Sequence, residues 1–100
     1  MRQFAKKVIL NSKTGYSDQH DQLLYGLIDA KVLLFCAVGK DCELWNDILD
    51  EIIVGDGSVE RDFFMITTSH TDESLEEVTE FAKNYSIDYP DNETVQIIEV

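Results

Sequence analysis

Two segments of this chain share one order of residue types, and that order narrows the folds open to it more than any other feature. Val32-Leu-Leu-Phe-Cys-Ala-Val38 runs into Gly-Lys-Asp-Cys-Glu-Leu-Trp45, and Phe63-Phe-Met-Ile-Thr-Thr68 runs into Ser-His-Thr-Asp-Glu-Ser-Leu75. Each is an apolar run, then a short polar turn, then a helical pattern opening with acids. This is the form of a strand feeding a helix in an α/β sheet, whose strand carboxyl ends are the usual place for ligands. The order locates a site without naming a reaction.

Periodicity extends the pattern along the chain. Lys6 to Leu10 predicts a first strand and Asn11 to Ser17 a turn. From Asp18 to Asp29, His20, Leu23, Leu24, Leu27 and Ile28 recur at helical spacing behind Ser17 or Asp18 as N-cap. Lys31 to Val38 is apolar on both faces, as a strand buried in a parallel sheet is. A second helix opens at Asp41, carries Trp45, Ile48, Leu49, Ile52 and Ile53 on one stripe, and stops at Gly55 before a turn through Ser58. Phe63 to Thr68 is a third strand. Leu75, Val78, Phe81, Ala82 and Tyr85 make a third helix, which begins at Ser74 with Glu77 in capping-box spacing, or at Thr71 or Asp72. A turn over Ile87 to Asn92 leads to a last strand, Thr94 to Val100.

The expectation is one three-layer α/β domain over residues 1–100, with a mainly parallel four-stranded sheet (βαβαβαβ) and helices on both faces. The strand order expected is 2-1-3-4, with the first helix on one face and the second and third on the other. A chain of this length buries roughly 60 to 70 per cent of its unfolded surface, enough to fold without metal or disulfide. The longest apolar run, Val32 to Val38, is far short of the roughly 20 residues a bilayer span needs. Val8-Ile-Leu10 is likewise too short for a signal-peptide core of about 7 to 15 residues. A cytoplasmic location follows as an expectation, with Cys36 and Cys42 reduced. Their spacing suits neither a zinc hook nor a redox pair, and no cofactor or metal is expected.

Charge is unevenly spread. Residues 1–40 hold six Lys or Arg against three acids, residues 41–100 two against seventeen, and the total is −12. A field of that sign repels nucleic-acid phosphates and anionic lipid headgroups. Glu43, Asp47, Asp50 and Glu51 lie opposite Trp45 on the second helix, and Glu76, Glu77 and Glu80 opposite Val78 on the third. Like-charged pairs four apart cost a helix roughly 0.2 to 0.5 kcal/mol each, so local stability does not account for the pattern. Solvated surface accounts for it; so does a ridge that docks a basic protein, as an inhibitor or immunity-type protein docks a basic nuclease or toxin.

The alternative is a small enzyme or anion-binding domain at the strand-to-helix edge. Three turns meet there and bring Ser12, Lys13, Thr14, Lys40, Cys42, Thr67, Thr68, Ser69 and His70, with His20 one helical turn further in. Lys13, Lys40, Thr68, Ser69 and His70 are the candidate ligand-binding residues, and His70 and Cys42 the candidate catalytic ones. Lys40 and a helix start would favour a Cys42 thiolate, whereas the stripe shared with Trp45 and Leu49 makes the same position core. Polar turns are also what helix starts need for capping. Asn11 to Ser17 lacks the order of a phosphate loop, and Gly55-Asp-Gly-Ser58 lacks that of a calcium loop. A homodimer through the edge strand Thr94 to Val100 is a further expectation.

The strings Phe35-Cys-x-Val-Gly-x-Asp-Cys-Glu-x-Trp45, Gly55-Asp-Gly-Ser58 and Thr67-Thr-Ser-His-x-Asp-Glu-Ser-Leu-x-Glu-Val78 with Glu80-Phe-Ala82 resemble a family of small uncharacterised bacterial proteins. The resemblance implies that Cys42, Trp45, Asp56 and the Thr-Ser-His turn belong together and that the chain is complete. It lends no catalytic residue.

Overall fold

The computed structural model describes residues 5–55, 65–86 and 94–100. Within them the chain runs β1 (Lys7–Ser12), a 3-10 turn (Asp18–His20), α1 (Asp21–Asp29), β2 (Leu34–Gly39), α2 (Cys42–Gly55), β3 (Ile66–His70), α3 (Leu75–Asn84) and β4 (Val95–Glu99). All four strands are parallel, with helices on both faces of the sheet. The α/β architecture read from the strand and helix patterns stands.

Two parts of the expected arrangement are corrected. The strand order is 3-2-1-4 rather than 2-1-3-4. Burial gives the reason: Val8, Ile9 and Leu10 of β1 and Leu34 to Val38 of β2 are buried on both faces, whereas Thr67 and Thr68 are half-buried and Ser69 is exposed. A strand of threonines and serine cannot fill two apolar layers, so β3 goes to an edge. The helices follow from handedness. Going from β1 to β2 to β3 the chain steps twice in one direction, so right-handed crossovers put α1 and α2 on the same face; the return from β3 to β4 reverses direction and puts α3 on the other.

Boundaries shift for local reasons. β1 continues past Leu10 because Asn11 and Ser12 pair with Val38 and Gly39. Ser69 and His70, expected in a turn, close β3 opposite Ala37 and Val38. α1 starts at Asp21 behind the 3-10 turn, not at Asp18. Residues 56–58 of the expected turn, with Asp56, the first two residues of the expected third strand and the turn over 87–92 lie outside the described residues.

One core layer joins Val8, Leu10, Phe35 and Ala37 to Leu24 and Leu27 of α1 and to Trp45 and Leu49 of α2. Each leucine taken from water there contributes roughly 1.5 to 3 kcal/mol. The second layer is thinner: α3 fully buries only Val78 and Ala82, against Ile9, Leu34, Cys36 and Val38. With so narrow a stripe, α3 is held largely at its ends. At its start Ser74 Oγ accepts from Glu77 N, and Glu77 Oε1 accepts from Ser74 N, both at 3.1 Å, which settles Ser74 as the N-cap.

The two strand-to-helix turns resemble each other in backbone as in sequence. Asp41 before α2 has φ 62° and Asp72 before α3 has φ 64°, a left-handed conformation that aspartate tolerates better than most residues. Gly39 is required by proximity. It has φ +93°, and a Cβ there would lie 2.3 Å from the Ser12 carbonyl oxygen, which accepts from Lys40 N at 2.8 Å.

Candidate functional site

The carboxyl edge brings the three turns together and then fills the space between them. Ser12, buried at the end of β1, accepts from Trp45 Nε1 at 3.0 Å and from Gly15 N at 3.2 Å. Trp45 also meets the Tyr16 ring edge-on, with centroids 5.2 Å apart, and the His20 ring at 5.0 Å. Tyr16 N donates to Asp41 Oδ2 at 3.2 Å and the Tyr16 hydroxyl to the Asp21 carboxylate. Ser12 and His20 are therefore parts of an aromatic clasp that fixes the first turn on α2.

The edge cations are dispersed. Lys13 Nζ lies 2.6 Å from Glu99 Oε2, which neutralises it beside β4. Lys40 is exposed at the end of β2. Cys42 is only 4% exposed, with Sγ 3.6 Å from Thr71 Oγ1, and Thr71 Oγ1 in turn donates to Glu43 at 2.9 Å. Its place in the core of α2 fits the small-hydrophobe reading of the residue.

His70 has the most ordered chemistry. It is 8% exposed, under the ring of Phe81, whose centroid is 4.9 Å from its own. Nδ1 lies 2.8 Å from Glu73 Oε2, and Nε2 lies 2.8 Å from Thr68 Oγ1. A carboxylate only accepts, so Nδ1 carries a proton, and Nε2 shares a hydrogen bond with the Thr68 hydroxyl. Carboxylate, imidazole and hydroxyl thus stand in the order used to activate a nucleophile. Thr68, half-buried on an edge strand, donates to the Phe35 carbonyl oxygen at 3.3 Å, and the chain of contacts ties β3 to the start of α3. His70 and Cys42 lie on opposite faces of the sheet, His70 toward α3 and Cys42 beneath α2.

The acidic residues are displayed but divided. Glu43, Asp47, Asp50 and Glu51 are exposed on α2, where Thr67 Oγ1 donates to Asp50 Oδ1 at 2.6 Å and so joins that face to β3. Glu76, Glu77 and Glu80 are exposed on α3, across the sheet, with Glu77 engaged in the capping box. They form two acidic faces rather than one ridge.

Two features escaped the sequence reading. Lys7 is fully buried, and its Nζ donates to Ala82 O at 2.7 Å, to Lys83 O at 3.4 Å and to Tyr85 O, closing the carboxyl end of α3 with a positive charge. The signal was alternation: in a strand, Lys7 shares a face with Ile9. The second is a groove of about 790 Å³ between α1 and β4, floored by Leu23, Ile98 and Val100 and edged by Gln22, Asp29 and Glu99. It exists because α1 and α2 follow β1 to β3 in one direction, leaving β4 uncovered on their face among the described residues.

Among the described residues, no helix is long and apolar enough to cross a membrane, and no group of three or more His, Cys, Asp or Glu is placed to hold a metal ion. No curated protein and no solved structure matches the chain. The chain belongs to the family described as a domain of unknown function, DUF7684, which matches it over residues 1–100.

Proposed function

We propose that this member of the DUF7684 family is a non-enzymatic cytoplasmic module that binds a basic protein through the acidic surface of α2 and the corner between β3 and α3. The distribution of charge carries the reading. Among the described residues from 42 to 82, nine carboxylates from Glu43 to Glu80 are exposed and no Lys or Arg stands between them. Such a field raises the rate of encounter with a cationic surface and repels an anionic one. Glu43 and Asp50 are also oriented by Thr71 and Thr67, which reduces the side-chain entropy to be lost on binding. An inhibitor or immunity-type protein that occupies a phosphate-binding surface fits this description. Cys36 and Cys42, both buried free thiols, suit a reducing compartment.

The reading as a small enzyme or anion-binding domain has thinner support. Lys13 is tied to Glu99, Cys42 is core, and His70 is engaged on both ring nitrogens. Capture of host proteins on the immobilised chain at low salt, with release at high salt, supplies the partner for the test. Glu43→Lys with Asp47→Lys should then slow association about tenfold or more at low salt, with the difference closing as salt is raised. An association rate that the double variant does not move would remove this surface as the docking site.

A further inference from the structure

We propose that a second copy of this chain pairs with the outer edge of β4, joining two four-stranded sheets into one of eight strands. The backbone supplies the first argument. Val100 N donates to Asn11 O at 3.1 Å, and Val100 O accepts from Lys13 N at 2.7 Å, so residue 100 turns both its groups toward β1. Strand alternation turns Gln96 and Ile98 the same way and leaves the N–H and C=O groups of Val95, Ile97 and Glu99 on the outer side. Among the described residues β4 is an edge, with β1 as its neighbour.

The side chains supply the second. Ile97 is 43% exposed, and β4 contains neither Lys nor Pro. Its one charge, Glu99, is neutralised by Lys13 at 2.6 Å. Charges and prolines are the means by which an edge strand refuses a neighbour, and this strand has no proline and only the one, paired, charge. Charge also selects the occupant. The chain carries −12 overall, yet among the described residues of β4 and the adjoining groove one side-chain carboxylate, Asp29, stands outside a salt bridge. Like-charge repulsion between two copies is therefore weak along this edge, which likewise offers little to steer a basic partner.

The outward groups define the register. In an antiparallel pair about a two-fold axis normal to the sheet, all three outward residues are used when Ile97 faces its own counterpart and Val95 faces Glu99 of the second copy. The two Ile97 side chains then meet on the α3 side. On the other side the two grooves become one, floored by Ile98 and Val100 of both copies.

Hydrogen exchange and sedimentation equilibrium on the unmodified chain test the proposal. Raising the concentration should slow exchange at the Val95, Ile97 and Glu99 amides about tenfold or more, in step with dimer mass, while Gln96, Ile98 and Val100 remain protected throughout. Ile97→Lys places like charges opposite each other at the axis and should raise the dimer dissociation constant about tenfold or more, with circular dichroism unchanged. Asp47→Lys on α2 should leave the dimer as it is. A chain that stays monomeric at every concentration overturns the proposal, as does a dimer whose outward β4 amides exchange freely. If Ile97→Lys fails to fold, the exchange measurement on the unmodified chain decides.

Discussion

Lys7 and Cys36 are both buried beneath α3, and each turns burial into a measurable dependence. Lys7 closes the helix end on three carbonyls, so Lys7→Met should leave those acceptors short of donors and cost about 1 to 3 kcal/mol. Urea unfolding checks this: the midpoint should fall with the slope unchanged, and an unmoved midpoint would show that the carbonyls find water instead. Burial pushes the Cys36 thiol above its ordinary 9.0, against the opposing effects of the Thr68 hydroxyl and the Lys7 charge. The folded state therefore holds the thiol proton more tightly than the unfolded chain does. The resulting stability is fully present below the unfolded value and is lost as pH rises from there toward the folded value. Stability should thus decline above about pH 9, and Cys36→Ala should flatten that decline whatever it costs in packing. A decline of the same steepness in the variant would assign it to other groups. In the native state neither Cys36 nor Cys42, 0% and 4% exposed, should be alkylated at an appreciable rate before unfolding.

At the scale of elements, α3 shows how a helix with a narrow apolar stripe is fixed. Ser74→Ala removes one side of the capping box and should cost about 0.5 to 2 kcal/mol, seen as early loss of helix on thermal unfolding; a melt that does not move would make Lys7 the main anchor. Gly39→Ala combines a left-handed φ with a 2.3 Å approach to Ser12 and should cost more than about 1 kcal/mol. The order of elements was legible because period-2 and helical patterns alternate cleanly from Lys6 to Val100. Strand order was not legible in the same way, because the apolar content of Phe63 to Met65 displaced the expected strand, Phe63 to Thr68, from Ile66–His70, the bounds of β3. Without that displacement, Ile66-Thr-Thr-Ser-His70 reads as an edge strand, and handedness then puts α1 and α2 together. The relay through His70 stayed hidden for a related reason. Its partners, Thr68 and Glu73, join only when Ser69 and His70 belong to the strand, which sets Thr68 and His70 on one face.

For the whole molecule, the asymmetry of charge along the chain becomes an asymmetry in space. Three of the early lysines are engaged within the fold: Lys6 on the carbonyls of Ala30 and Lys31, Lys7 on α3 and Lys13 on Glu99. The described acids from Glu43 to Glu80 stay at the surface, so these cations are used for structure while the anions face outward, where the proposed basic partner would meet them. This arrangement costs stability. Asp47 is flanked four residues away on each side by Glu43 and Glu51, all three exposed. Asp47→Lys converts both like pairs to opposite ones, which at roughly 0.2 to 0.5 kcal/mol per pair in each state should stabilise the fold by on the order of 1 kcal/mol. Thermal melts at low and high salt check this, because the gain rests on exposed charges and should shrink as the ionic strength rises. The same substitution should weaken association with a basic partner. A variant that gains stability at low salt and loses binding would place Asp47 where function rather than folding maintains the charge. If Asp47→Lys gains stability and binds as before, the acids of α2 serve solvation alone, and the partner surface must be sought on the α3 side.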